Sequence, residues 1–257
     1  MNMRRTSSRV FFVRVTLTIA LLAGAGCASS GPNLSTLDAD TLLSRGLERL
    51  DAEKWDQAIR ALEQFIFQFP THARYQEARF RLGDAYAGKN DRLIAASEYG
   101  RLADDFPNGP YADDARFRVC QMYEALSPIP ARDQEYTVTA IDHCRSLRAF
   151  YPDSEFAEPA AEIITRLENK LARKELETGN FYFDAKAFDP AIIVYQHLLE
   201  KYPTSQAAPV ALLRMYEAYT EIGYAEEAQE VRDRLLQQYP DSDAARQLRG
   251  NQVAGSR

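Results

Sequence analysis

The chain is poor in the residues that build metal centres and nucleophilic sites. Its 257 residues include three histidines, three cysteines and one tryptophan. His72, His143 and His197 stand far apart, and the adjacent pair His143 and Cys144 lacks the i, i+4 spacing that brings two ligands onto one helix face. No Gly-rich phosphate loop, GxGxxG or GxSxG occurs. The sequence therefore predicts no catalytic residue, no metal and no cofactor. A net charge of −6 makes the chain a poor match for nucleic acid, which proteins grip with basic surfaces. The acidic pairs Asp104/Asp105 and Asp113/Asp114 fall at helix ends and read as caps and solvated surface.

The long apolar run of a membrane span is also missing. What stands at the start is shorter: Arg4, Arg5 and Arg9, an apolar stretch over residues 15–23, then Gly24, Ala25 and Gly26 before Cys27. Such a segment ending in cysteine resembles a bacterial lipobox. The resemblance implies removal of residues 1–26, lipidation of Cys27 and, with no aspartate following it, sorting to the outer membrane. Without residues 1–26 the chain has 27 basic and 37 acidic residues, a net charge of −10. Residues 27–38, rich in Ser, Gly and Pro, read as a flexible tether reaching at most about 35 Å at ~3.5 Å per residue.

Beyond the tether the sequence repeats. An aromatic residue precedes proline at Phe69, Phe106, Tyr151, Tyr202 and Tyr239, and twelve residues before each proline stands Ala58, Ala95, Ala140, Ala191 or Ala228. A further twelve back are Gly46, Gly83, Gly179 and Tyr216, whereas the third unit reaches Cys120 only after twenty. An eight-residue insert, residues 126–133, accounts for the difference. A small residue on one helix, an alanine on the next and a terminal proline make up the tetratricopeptide pattern: small residues let backbones approach, and proline stops the second helix. The gap from Pro152 to Gly179 is 27 residues against 13 elsewhere, and the extra 14 make about four turns at 3.6 residues per turn. One long helix over residues 155–186 absorbs them.

The predicted fold is all-α, a solenoid of five tetratricopeptide-type helix pairs with one long linking helix between repeats three and four. Repeats one to three occupy residues 39–152 and repeats four and five residues 153–240, with a frayed or disordered tail over residues 241–257. Solenoids bind through extended concave faces. Residues one turn off the core stripe of the first helices, Leu43, Leu47, Glu77, Phe80, Asp84, Phe117 and Gln121, are candidates for a peptide groove; the apolar ones alternatively pack between repeats. Cys120 and Cys144 both point toward the seam of the third pair. They read either as a disulfide, in an oxidising compartment, or as two buried small hydrophobes.

Five such repeats behind a lipoprotein cysteine resemble the BamD family of the outer-membrane β-barrel assembly machine. The segments after the prolines carry the resemblance: NGPYA at 108–112, DSEFA at 153–157 and TSQAA at 204–208. So do Arg132, Asp133, Gln134, Thr137 and Ala140 around the insert, and Arg166, Leu167, Leu171 and Ala172 on the long helix. The resemblance implies a non-enzymatic scaffold, lipid-anchored on the periplasmic face of the outer membrane. Its C-terminal repeats would dock the periplasmic domain of the barrel-forming subunit and its N-terminal repeats would receive unfolded β-barrel substrates, with accessory lipoproteins as further candidate partners. The alternative is a periplasmic repeat protein of the Tol-Pal coordinator type acting in envelope constriction. Residues 33–40 are too short for the coiled coil usual there.

Overall fold

A computed structural model describes residues 34–255, with side chains to residue 250. After a 3-10 turn over Leu34–Thr36 come ten helices in antiparallel pairs: α1 (Ala39–Asp51) with α2 (Trp55–Gln68), α3 (Tyr75–Gly88) with α4 (Arg92–Asp105), α5 (Ala112–Leu126) with α6 (Glu135–Phe150), α7 (Ala157–Asp184) with α8 (Phe188–Lys201), and α9 (Ala208–Ile222) with α10 (Ala225–Gln238). Each second helix also packs on the first helix that follows it. No strand occurs among the described residues. The expected signal segment over residues 1–26, the expected lipidation position Cys27 and most of the expected tether lie outside them.

Two backbone features repeat with the sequence. Phe69, Phe106, Tyr151, Tyr202 and Tyr239 all leave the helix with φ between −126° and −134°, each still donating its N–H four residues back. The following proline denies them helical geometry. Five residues before the alanine, the turn between paired helices uses a left-handed residue: Glu53, Asn90, Lys186 and Gly223, with φ of 55°, 72°, 58° and 82°. There the helix end closes with paired hydrogen bonds, as in Asn90 to Ala87 and Asp91 to Tyr86, both 2.9 Å. The third pair lacks this turn, because its insert lies there.

Paired helices meet where the sequence places its small residues. A Cβ on Gly83 would lie 2.5 Å from the Tyr99 ring, and one on Gly179 2.3 Å from Tyr195, so only glycine admits these rings. Tyrosines also tie successive turns together: the hydroxyls of Tyr151 and Tyr239 donate to the Pro107 and Pro203 carbonyls of the preceding repeat at 2.8 and 2.5 Å.

The expected long helix is present as the 28-residue α7. The tail differs from expectation. Instead of fraying, it forms α11 (Asp243–Gly255), with the Ala245 N–H held by Ser242 Oγ at 3.1 Å. Ala244, Ala245 and Leu248 bury themselves in the apolar cluster of α9 and α10. The last repeat of a solenoid has an apolar face with no successor, and α11 covers it.

Candidate functional site

The candidate groove residues separate by register. Counting from Gly83 and its equivalents, the position three residues earlier is Leu43, Phe80, Phe117, Leu176 and Leu213 in the five pairs. Leu43, Phe80 and Phe117 are buried and do not line a groove. Phe80 stacks on Tyr111 with centroids 5.1 Å apart, and Phe117 on Phe156 at the same distance. Tyr111 and Phe156 begin the chain's entry into the following first helix, so this position is the joint between repeats. Leu47 is half-buried against the first cluster.

The remaining candidates, Glu77, Asp84 and Gln121, stand on the surface formed by the first helices, and two of them are paired with arginines. Arg74 Nε donates to Glu77 at 2.7 Å, and Arg81 Nη1 to Asp84 at 2.9 Å. The Arg74 contact holds the Glu77 carboxyl below its ordinary pKa. Asp84 also receives the Tyr99 hydroxyl at 2.7 Å. One turn along the next first helix Arg118 pairs with Asp114, whose pKa burial pushes upward. The Arg81 and Arg118 guanidiniums lie 5.7 and 5.9 Å from the Phe80 centroid. This face is therefore a ladder of arginine–carboxylate pairs over buried rings rather than an acidic groove with exposed aliphatic anchors.

Cys120 and Cys144 meet across the α5–α6 seam as a disulfide, with Cα atoms 5.1 Å apart. The acidic pairs bridge elements: Asp105 accepts from Arg79 at 2.8 Å, and Asp113 from Ser154 Oγ at 2.7 Å. Among the described residues no three His, Cys, Asp or Glu side chains converge as metal ligands.

A concavity lies where the repeat breaks. The insert folds onto its own glutamine: Gln134 Nε2 donates to the Ile129 and Arg132 carbonyls at 2.8 and 3.0 Å, while its Oε1 accepts from Thr137 at 2.7 Å. Helix α7 then grips the insert. Lys170 Nζ donates to Ser127 Oγ at 2.6 Å and the Pro128 carbonyl at 2.8 Å, and Lys174 Nζ to the Arg132 carbonyl at 2.9 Å. Burial lowers the Lys170 pKa. On the other flank Asn169 accepts the Gln206 N–H at 2.8 Å, fixing the start of α9.

Between these flanks runs a cleft of about 570 Å³ over Pro130, Arg166, Lys170, Arg173, Leu176 and Val210. Pro130 also borders a second hollow, of about 330 Å³, that ends at Phe181 and Tyr182. Ile129, Phe181 and Val210 are exposed here, Phe181 at 69%. Apolar walls stand beneath Arg166, Lys170 and Arg173, of which Arg166 is paired with Glu124 and Arg173 with Glu177, an arrangement that suits a protein segment with apolar side chains and polar edges. The sequence pointed to neither the rim nor Val210, although both irregularities that build the cleft, the insert and the extra turns, were visible in the spacing.

Comparison with known proteins agrees with this architecture. The family model described as "Outer membrane lipoprotein" (YfiO) matches residues 36–235. An outer membrane protein assembly factor BamD of Caulobacter vibrioides is 29% identical over 228 residues, covering 86% of this chain and 75% of the relative. Relatives of the same name from Vibrio cholerae and Rickettsia prowazekii are 27% and 24% identical, covering 80% and 88% of this chain and 89% and 90% of their own. The match spans every helix pair, and the chain belongs to the YfiO family of outer membrane lipoproteins.

Proposed function

We propose that this chain is a lipid-anchored periplasmic scaffold of the outer-membrane β-barrel assembly machine, docking the barrel-forming subunit through repeats three to five. The relatives are named as outer membrane protein assembly factors, which supports the role in assembly and speaks for a scaffold rather than an enzyme. The observation that carries the docking reading is the cleft between the insert, α7 and α9, since it combines exposed apolar side chains with a rim of arginine–carboxylate pairs around Lys170. Among the described residues no helix is long and apolar enough to cross a membrane; attachment through a lipid on Cys27 belongs to this proposal and rests on the lipobox-like segment before it.

Receipt of unfolded β-barrel substrates falls to the N-terminal repeats, on the part of the expected surface that carries Glu77 and Asp84 rather than on the buried apolar candidates. With Leu43, Phe80 and Phe117 buried, the arginine–carboxylate pairs of this face offer hydrogen-bond donors and acceptors to a polar main chain rather than pockets for aromatic anchors.

The test is recovery of partners from detergent-solubilised membranes by the wild-type chain and by Val210→Glu, which places a charge on the apolar wall. The wild type should retain an integral barrel subunit and the variant lose at least tenfold of it with an unchanged melting temperature. Full retention by the variant refutes the cleft. Recovery of Tol-Pal or peptidoglycan-synthesis proteins without a barrel subunit refutes the role.

A further inference from the structure

The five helix pairs share a homologous point of closure, where the small-residue position of the first helix faces the residue four beyond the alanine of the second. In three pairs a glycine there receives a large side chain: Gly46 takes Leu62, Gly83 takes Tyr99 and Gly179 takes Tyr195. Both tyrosines also hydrogen-bond the residue after the glycine, Asp84 at 2.7 Å and Asn180 at 2.8 Å. In the third pair the same two positions are Cys120 and Cys144. Neither the ring nor the phenol is present at position 144, and Gln121 stands where Asp84 and Asn180 receive theirs.

We infer that the Cys120–Cys144 bond is an oxidation-dependent replacement for the glycine–tyrosine contact, so that the third pair closes fully only after a thiol oxidant has acted on the chain. Three observations converge on this. Two small side chains joined by a bond fill the seam differently from a ring in a glycine notch, and without the bond this position has no large side chain seated against the facing helix, leaving register to the surrounding Phe117, Ile141 and Leu147. The third pair also lacks the left-handed turn and its paired hydrogen bonds, which close the other four. The disulfide spans 24 residues, enclosing the end of α5, the whole insert and the start of α6, and so shortens the loop at the pair whose connection is longest.

The chemistry is a thiol–disulfide exchange. One cysteine thiolate attacks a disulfide of an oxidant protein to give a mixed disulfide, and the second thiolate displaces it. The two cysteines lose two protons and two electrons in total, and the oxidant departs as a dithiol. Both cysteines are fully buried in the folded chain, so the exchange must precede or accompany closure of α5 on α6. The consequence reaches the cleft, because the enclosed insert supplies Pro130 and the carbonyls that Lys170 and Lys174 hold. This inference does not depend on the identity of the partner docked there.

The test uses the exported chain in detergent. Peptide mass mapping after alkylation should find no free thiol at positions 120 and 144, and free thiols there would overturn the inference. The chain is then unfolded and refolded with and without reductant, and hydrogen exchange is read helix by helix. Reduced chain should exchange at least tenfold faster across residues 120–147, with α8 to α10 unchanged. Cys120→Ser with Cys144→Ser should match the reduced chain under both conditions. Cys120→Gly with Cys144→Tyr, which installs the contact of the second and fourth pairs, should match the oxidised chain with or without reductant. Equal protection of reduced and oxidised wild type overturns the inference whether or not the variants fold.

Discussion

Adding one methyl group at Gly83 tests the helix register most directly, because two opposing effects of known size meet there. Alanine is favoured over glycine in a helix interior by about 1 kcal/mol. Against that, the new Cβ would sit 2.5, 2.7 and 2.8 Å from three ring atoms of Tyr99. The ring cannot swing aside freely, since Tyr99 is fully buried and its hydroxyl is held by Asp84 at 2.7 Å. Overpacking costs about 1–3 kcal/mol, and weakening a hydrogen bond to a charged group about 1.5–3 kcal/mol if it is lost outright. Gly83→Ala should therefore destabilise by about 2 kcal/mol net, or roughly 4–8 °C in a domain of this size. Gly100 supplies the control. It lies inside α4, where a Cβ would approach only Val119, at 3.9 Å, so Gly100→Ala should be neutral or stabilise by up to about 1 kcal/mol. Calorimetry compares the two, and hydrogen exchange in α3 and α4 guards against non-cooperative unfolding of the array. A Gly83→Ala melting temperature at or above that of Gly100→Ala refutes the packing argument.

Other outcomes follow from single contacts. Cys27→Ser should release a folded chain from membranes, and continued membrane association in fractionation would point to another anchor. Leu248, 2% exposed in α11, should cost about 2–5 kcal/mol as Leu248→Ala; an unchanged melting temperature would mean that the last repeat does not need its cover. His143 stacks on Tyr123 at 4.9 Å, and burial lowers its pKa below the ordinary value of 6.5. The unfolded chain then takes up the proton first as pH falls, so stability contributed by the neutral ring is present above pH 6.5 and declines below it, levelling at the folded pKa. His143→Phe keeps the stack without the titration and should lose less melting temperature between pH 7.5 and 5.5 (chosen as about one unit either side of the ordinary histidine pKa); parallel profiles would exclude that role.

The array was legible in the sequence because its marks are backbone requirements. Proline forces the preceding aromatic out of the helix, and glycine is needed where Tyr99 and Tyr195 press on a neighbouring backbone. Groove residues carry no comparable mark. Phe80 and Asp84 are four apart on one helix, yet Phe80 is the buried joint between repeats while Asp84 is partly exposed and paired with Arg81 and Tyr99, a difference set by tertiary packing that spacing alone does not show. Helix α11 escaped for a different reason. Its buried stripe is Ala244, Ala245 and Leu248, and two alanines do not announce a core.

Departures from the repeat, more than the repeat itself, make the surface that a partner can recognise. A regular array would present the same ladder of arginine–carboxylate pairs at every step and would offer little to orient a partner along it. The insert and the four extra turns of α7 fall at one boundary and are bound to each other through Lys170 and Lys174, so neither could be lost without exposing the other. Together they replace the ladder with a cleft built from the insert, α7 and α9, whose lining includes Pro130, Leu176 and Val210. Specificity requires a feature that the other repeats do not copy. The disulfide adds a second asymmetry at the same boundary, since it makes closure of that pair depend on chemistry that the glycine-locked pairs do not need.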